Sequence, residues 1–183
     1  FCFSADSKFI AWGNSNGIVI QDTQTGTIIK KILGISAIIK SVCFSSDNKF
    51  IVASCGDQQI RIWEVETGKC RRILSGHTSD VLSASFSSDN KVILSASQDG
   101  SARIWNVCSG ECIQTLQDGN KLDRACYSRD NQFVATISKL GKTVNIWKVS
   151  SGEKVLTINI PLYLFENNVN VSFSRNDRYI GTS

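Results

Sequence analysis

With 183 residues, 42% hydrophobic, 20% charged and 9% aromatic, the chain is long and apolar enough to bury a core, and it is neither disordered, collagenous nor membrane-embedded in composition. Twenty Lys and Arg against 16 Asp and Glu leave a net charge of +4, scattered in ones and twos, so nucleic acid is not an expected partner. A single histidine excludes a His-rich metal centre, and no apolar run approaches the roughly 18 residues of a membrane span. The seven cysteines are odd in number and lack a CxxC pair, which points to a reducing, intracellular compartment, cytoplasmic or nuclear.

The chain opens on Phe1-Cys2-Phe3-Ser4, in the middle of a pattern, which reads as a truncation and not as a signal peptide. From Phe3 runs the segment FSADSKFI, which returns at Phe44, Phe86, Tyr127 and Phe173 with spacings of 41, 42, 41 and 46. Gln21, Trp63, Trp105 and Trp147 recur every 42 residues, each followed five residues later by Gly26, Gly68, Gly110 or Gly152. Two landmarks with one period define a repeat. Drawn from aromatic to aromatic, its units are residues 1–42, 43–84, 85–125, 126–171 and 172–183.

Inside a unit the runs are short and β-like. In the second, after strand a, they read FIVAS, GDQQ, IRIWEV, ETGK and CRRIL, so that a unit holds four predicted strands, a to d, separated by turn residues. Asp-Asn at 47–48, 89–90 and 130–131 suits a tight a-to-b turn, because both residues tolerate left-handed backbone. In strand c, Ile60 and Ile62 alternate with Arg61 and Trp63, bulky on both faces, as in a sheet covered on both sides. No window keeps apolar residues at helical spacing long enough for a helical repeat of similar period. An all-β chain is predicted.

Several chemical motifs are weaker than they look. Gly141-Lys142-Thr143 resembles the end of a phosphate loop, but the first glycine of that loop falls on Thr136. Cys2, Cys43 and Cys126 each precede the strand a aromatic and read as small buried strand residues. Cys108 and Cys112 flank a c-to-d turn and could approach each other, yet no second pair completes a metal site. Lys30-Lys31 and Arg71-Arg72 occupy equivalent strand d positions, where charge discourages edge pairing. Asn170-Val171-Ser172 has the form of a glycosylation sequon inside a predicted strand.

Residues 76–110, with Gly76-His77 before strand a and Trp105 in strand c, carry a family resemblance: the chain resembles the WD-repeat β-propellers over essentially its whole length. The resemblance implies four four-stranded blades plus part of a fifth, too few for the usual ring, hence an incomplete ring. It also implies a hydrogen-bonded tetrad of His77, Ser95, Asp99 and Trp105, complete in the third blade alone. The second blade keeps Asp57 and Trp63 but has Gly34-Ile35 and Ala53 at the other positions; the fourth keeps Thr136 and Trp147; the first has Gln21 for the Trp.

The function implied is a non-catalytic scaffold that binds other proteins or peptides, with no catalytic, metal or cofactor residues. The alternative is a regulatory or ligand-sensing propeller of a larger enzyme or signalling protein. A serine nucleophile would need a base, and the one imidazole, His77, is already taken up by the Gly-His motif. The face carrying the d-to-a loops and b-to-c turns is the surface such proteins commonly use. Counting back from each aromatic places Ile38, Lys40, Asp80, Leu82, Lys121 and Asp123 there, with Gly56 and Gln98 in the turns and Leu162 to Phe165 on a long connection beside them. Those loop positions are the protein-binding candidates.

Overall fold

The computed structural model describes residues 1–35, 37–161, 171–174, 177 and 179–182. The long connection with Leu162, Tyr163, Leu164 and Phe165, and the sequon's Asn170, lie outside the described residues. Strands follow one another without a helix among the described residues: β1 (Cys2–Phe3), β2 (Phe9–Asn14), β3 (Gly17–Asp22) and β4 (Ile28–Leu33) make the first sheet. The second holds β5 (Ile39–Phe44), β6 (Phe50–Cys55), β7 (Ile60–Glu64) and β8 (Cys70–Leu74). In the third are β9 (Val81–Phe86), β10 (Val92–Ser97), β11 (Ser101–Asn106) and β12 (Cys112–Gln117); in the fourth, β13 (Arg124–Tyr127), β14 (Phe133–Ser138), β15 (Thr143–Lys148) and β16 (Lys154–Asn159). A two-stranded sheet, β17 (Val171–Phe173) and β18 (Ile180–Thr182), follows. Within each sheet consecutive strands pair antiparallel, so every four-stranded sheet is a meander, one propeller blade.

The repeated motif explains the a-to-b turn. Ser45 donates to Asp47 Oδ1 at 2.6 Å and accepts from the Phe50 amide at 2.9 Å. The same brace recurs at Ser4, Ser87 and Ser128. Asn48, Asn90 and Asn131 then take φ of 59°, 59° and 58°, the left-handed conformation that Asn accepts most readily of the bulky residues. The aromatic closes strand a and does not open it, so boundaries at 42/43, 84/85, 125/126 and 171/172 each cut through a strand.

The core lies between the blades. Ile18, Ile20 and Ile32 of the first sheet pack with Phe44, Ile51 and Trp63 of the second; Ile60, Ile62 and Leu74 of the second with Val81, Ile93 and Trp105 of the third. The third and fourth sheets, and the fourth and fifth, repeat the arrangement. Strands β6, β10 and β14 are buried at every position but the first, which is why their sequences lack polar alternation. Trp63, Trp105 and Trp147 each face the blade before them; Gln21, on the face of the first sheet turned away from the second, donates to the Gly26 carbonyl of its own turn. Strands a contact one another in succession and the arc does not close, leaving Phe1 and Phe3 exposed.

Neighbouring blades are joined at three levels. At the a-to-b turns, Asn48 Oδ1 accepts the Ala5 amide at 2.8 Å, Asn90 Oδ1 the Ser46 amide at 2.9 Å, and Asn131 Oδ1 the Ser88 amide at 3.3 Å. Along the innermost strands, Ser41 Oγ accepts from the Ala84 amide at 3.0 Å and Ser83 Oγ from the Ala125 amide at 3.3 Å. At the outer edge, Lys30 Nζ donates to the Glu66 carbonyl at 2.7 Å and Arg72 to the Ser109 and Cys108 carbonyls. These two basic residues thus hold the next blade's c-to-d turn, a role the edge-charge reading did not foresee; Arg71 instead pairs with Glu64 at 2.9 Å. The periodic glycine follows: Gly110 has φ of 79°, and a Cβ there would sit 2.8 Å from Arg72 Cδ.

Candidate functional site

In the third blade the Trp105 indole donates to Ser95 Oγ at 2.8 Å, the Ser95 hydroxyl meets His77 Nε2 at 2.7 Å, and His77 Nδ1 meets Asp99 Oδ2 at 2.7 Å. With the proton on Nδ1, each donor finds an acceptor in one chain from indole to carboxylate. Burial holds the His77 ring below its usual titration range and keeps it neutral, against the pull of Asp99. Burial alone would raise the Asp99 carboxyl, but donors from the Ser101 hydroxyl, His77 and the Thr78 and Ser101 amides outweigh it and hold the pKa at about 2.

Serine, imidazole and carboxylate in series share the connectivity of a hydrolytic triad, and burial separates the two cases. Ser95 is 0% exposed, with the Trp105 N–H already on its oxygen, so no substrate carbonyl reaches it. Among the described residues, no three His, Cys, Asp or Glu side chains are placed to hold a metal ion. Cys108 and Cys112 are free and exposed, the Cys112 thiol turned to the Gln114 carbonyl and Thr115 hydroxyl.

The other blades solve the same problem differently. Asp57 forms a two-pronged pair with Arg61 at the surface, and Trp63 packs over Ala53 in the inter-blade core. In the fourth blade Trp147 donates to Thr136 Oγ1 at 2.9 Å, Thr136 to Asp118 Oδ2 at 2.8 Å, and Asn145 to the same oxygen at 2.8 Å, while Thr157 donates to Asn145 at 2.6 Å. Asp118 does here what histidine does one blade earlier. Sequence reasoning missed it because it stands before the Gly119-Asn120 position where a His was sought. Asp118→Ala, which strands the Thr136 and Asn145 donors, is expected to cost about 2 kcal/mol in chemical denaturation, and Asp118→Asn far less.

Several of the candidate binding residues lie close together. Lys40 Nζ reaches Asp80 Oδ2 across the second and third blades at 3.1 Å, and the Gln98 amide donates to the Asp80 carbonyl at 3.0 Å. Gly56 lies against both: a Cβ there would be 3.2 Å from Lys40 Cε and 3.7 Å from Asp80 Oδ2. The loop of Lys121 and Asp123 joins through buried Leu122, whose amide donates to the Ser97 carbonyl at 3.1 Å. Not every member is free: Lys40 and Asp80 neutralise each other, and Asp123 accepts the Lys139 amide at 2.8 Å. Ile38 and Lys121 are exposed, and Leu82 and Gln98 half-buried.

Four meandering sheets in an open arc, a tryptophan at every strand c but the first, and a buried indole-to-carboxylate chain define a β-propeller of repeat type. The family model described as WD domain, G-beta repeat, matches residues 26–64 and 68–106, each match ending one residue beyond a strand c tryptophan. Over those two stretches the chain is similar to the WD-repeat family. WD repeats generally serve as protein-interaction scaffolds, typically without catalysis. Among the described residues no helix is long and apolar enough to cross a membrane.

Proposed function

We propose that this chain is a non-catalytic scaffold whose partner, a protein or peptide with both charge and an apolar anchor, binds the face of Ile38, Lys40, Asp80, Leu82, Gln98, Lys121 and Asp123. The observation that carries this reading is the Lys40–Asp80 pair, which joins the second and third blades at that face. Such a surface offers exposed Ile38 and Lys121 beside a bridge that a partner can desolvate, the setting in which a few residues dominate binding.

The test begins with a partner captured by pull-down. Asp80→Lys and Lys121→Glu are expected to weaken its binding about tenfold or more while changing stability by less than about 1 kcal/mol, since the Lys40–Asp80 bridge is partly solvated. Arg71→Glu, on the outer edge, should bind normally. The double exchange Lys40→Asp with Asp80→Lys rebuilds the bridge with reversed polarity and is expected to stay defective. Full recovery in the double variant would make the bridge a mere brace, and loss of binding in Arg71→Glu alone would move the site to the rim.

A further inference from the structure

One repeat apart in sequence, Cys2 and Cys43 become neighbours at equivalent positions of adjacent innermost strands. Cys2 Sγ accepts the Phe44 amide at 3.4 Å, and the Cys43 thiol donates to the Phe44 carbonyl at 3.4 Å, so both sulfurs are seated on the same residue. Both are half-buried and line a cavity of about 360 Å³ bounded by the strands a, together with Ser41, Ser83, Ser85 and Cys126. Position matters here: Cys126, in the same place on the fourth blade, has Ser85 on the blade before it, and Cys70, Cys108 and Cys112 are exposed at the outer edge.

We propose that Cys2 and Cys43 are an oxidation site, closing to a disulfide that ties the first blade to the second when a low-molecular-weight disulfide such as oxidised glutathione is present. The Cys2 thiolate attacks one sulfur of that disulfide, making a mixed disulfide and releasing one glutathione thiolate. Cys43 then loses its proton and attacks the Cys2 sulfur, expelling the second glutathione thiolate. Two protein thiols are oxidised by two electrons and one glutathione disulfide is reduced to two thiols. The assignment of roles follows the surroundings of each sulfur: the neighbouring Cys43 thiol and the Phe44 amide both favour the thiolate of Cys2 and draw its pKa below the usual thiol value. Cys43 is held up by the neighbouring Cys2 thiol, by burial and by the Cys2 charge, and it is released from that charge once Cys2 is capped.

The experiment treats the folded 183-residue chain with oxidised glutathione near neutral pH, blocks remaining thiols by alkylation, and maps linked peptides by mass spectrometry. A Cys2–Cys43 crosslink, lighter by two hydrogens, is expected as the principal internal disulfide, with the exposed cysteines ending as mixed disulfides. Cys43→Ser should remove it and trap glutathione on Cys2. Serine stands naturally at the equivalent Ser85, so this variant is expected to fold with an unchanged melting temperature. A folded wild type in which Cys108 and Cys112 crosslink first, or in which Cys2 and Cys43 stay reduced, would overturn the proposal.

Discussion

Trp105→Ala is expected to lower the free energy of unfolding by about 3 to 5 kcal/mol. The indole is 1% exposed in the layer between the second and third blades, with the His77 ring edge-on at 5.8 Å and the Arg103 guanidinium 6.0 Å from its centroid. Its loss leaves a cavity that neither sheet can close without breaking its ladder, and it strips a donor from Ser95. His77→Ala should cost less, because the smaller ring leaves a smaller void. Urea denaturation followed by circular dichroism provides the comparison, and a Trp105→Ala variant as stable as the wild type would refute the packing argument.

The second large effect is expected to separate two aspartates at matching positions. Asp99→Ala removes the acceptor of four donors, one of them on a buried imidazole, and should cost about 2 to 3 kcal/mol. Asp57→Ala removes a solvated pair with Arg61 and should cost less than about 1 kcal/mol. The pH dependence has a definite sign. Asp99 has a folded pKa of about 2 against an ordinary 3.8, so its contribution is complete above roughly pH 4 and fades as the pH falls towards 2. The gap between wild type and Asp99→Ala should therefore be constant near neutrality and narrow in acid. Equal unfolding midpoints for the two variants at pH 7 would remove the basis for the tetrad.

Periodicity made much of the fold legible, because a turn that needs a left-handed residue, or a strand c that needs an indole against the preceding blade, imposes its demand once per repeat. Asn48, Asn90 and Asn131 could be placed in turns from the sequence, and His77, Ser95, Asp99 and Trp105 could be grouped through the family resemblance. Contacts between repeats were harder. Lys30, Arg72 and Gln114 each stand 38 residues before a periodic glycine, Gly68, Gly110 and Gly152, an offset present in the sequence but meaningless until the strand d of one blade is laid over the turn of the next. Asp118 was illegible for another reason: the buried hydroxyl of Thr136 needs an acceptor, and physics does not specify from which loop position it comes. The Lys40–Asp80 pair was likewise hidden, since two charges 40 residues apart carry no mark of their proximity.

The joints between blades have a bearing on how such a chain can change over generations. A complete unit presents an asparagine carboxamide to its predecessor's turn, and it presents a basic or polar strand d side chain and small hydroxyl or thiol acceptors to its successor. Both halves of the joint thus travel in one stretch of about 42 codons. Duplication of that stretch in frame, between one d-to-a loop and the next, recreates every tie on both sides, and deletion removes a matched set. Lengthening the arc is therefore within reach of a single recombination event, whereas altering a joint takes coordinated substitutions in two neighbouring units.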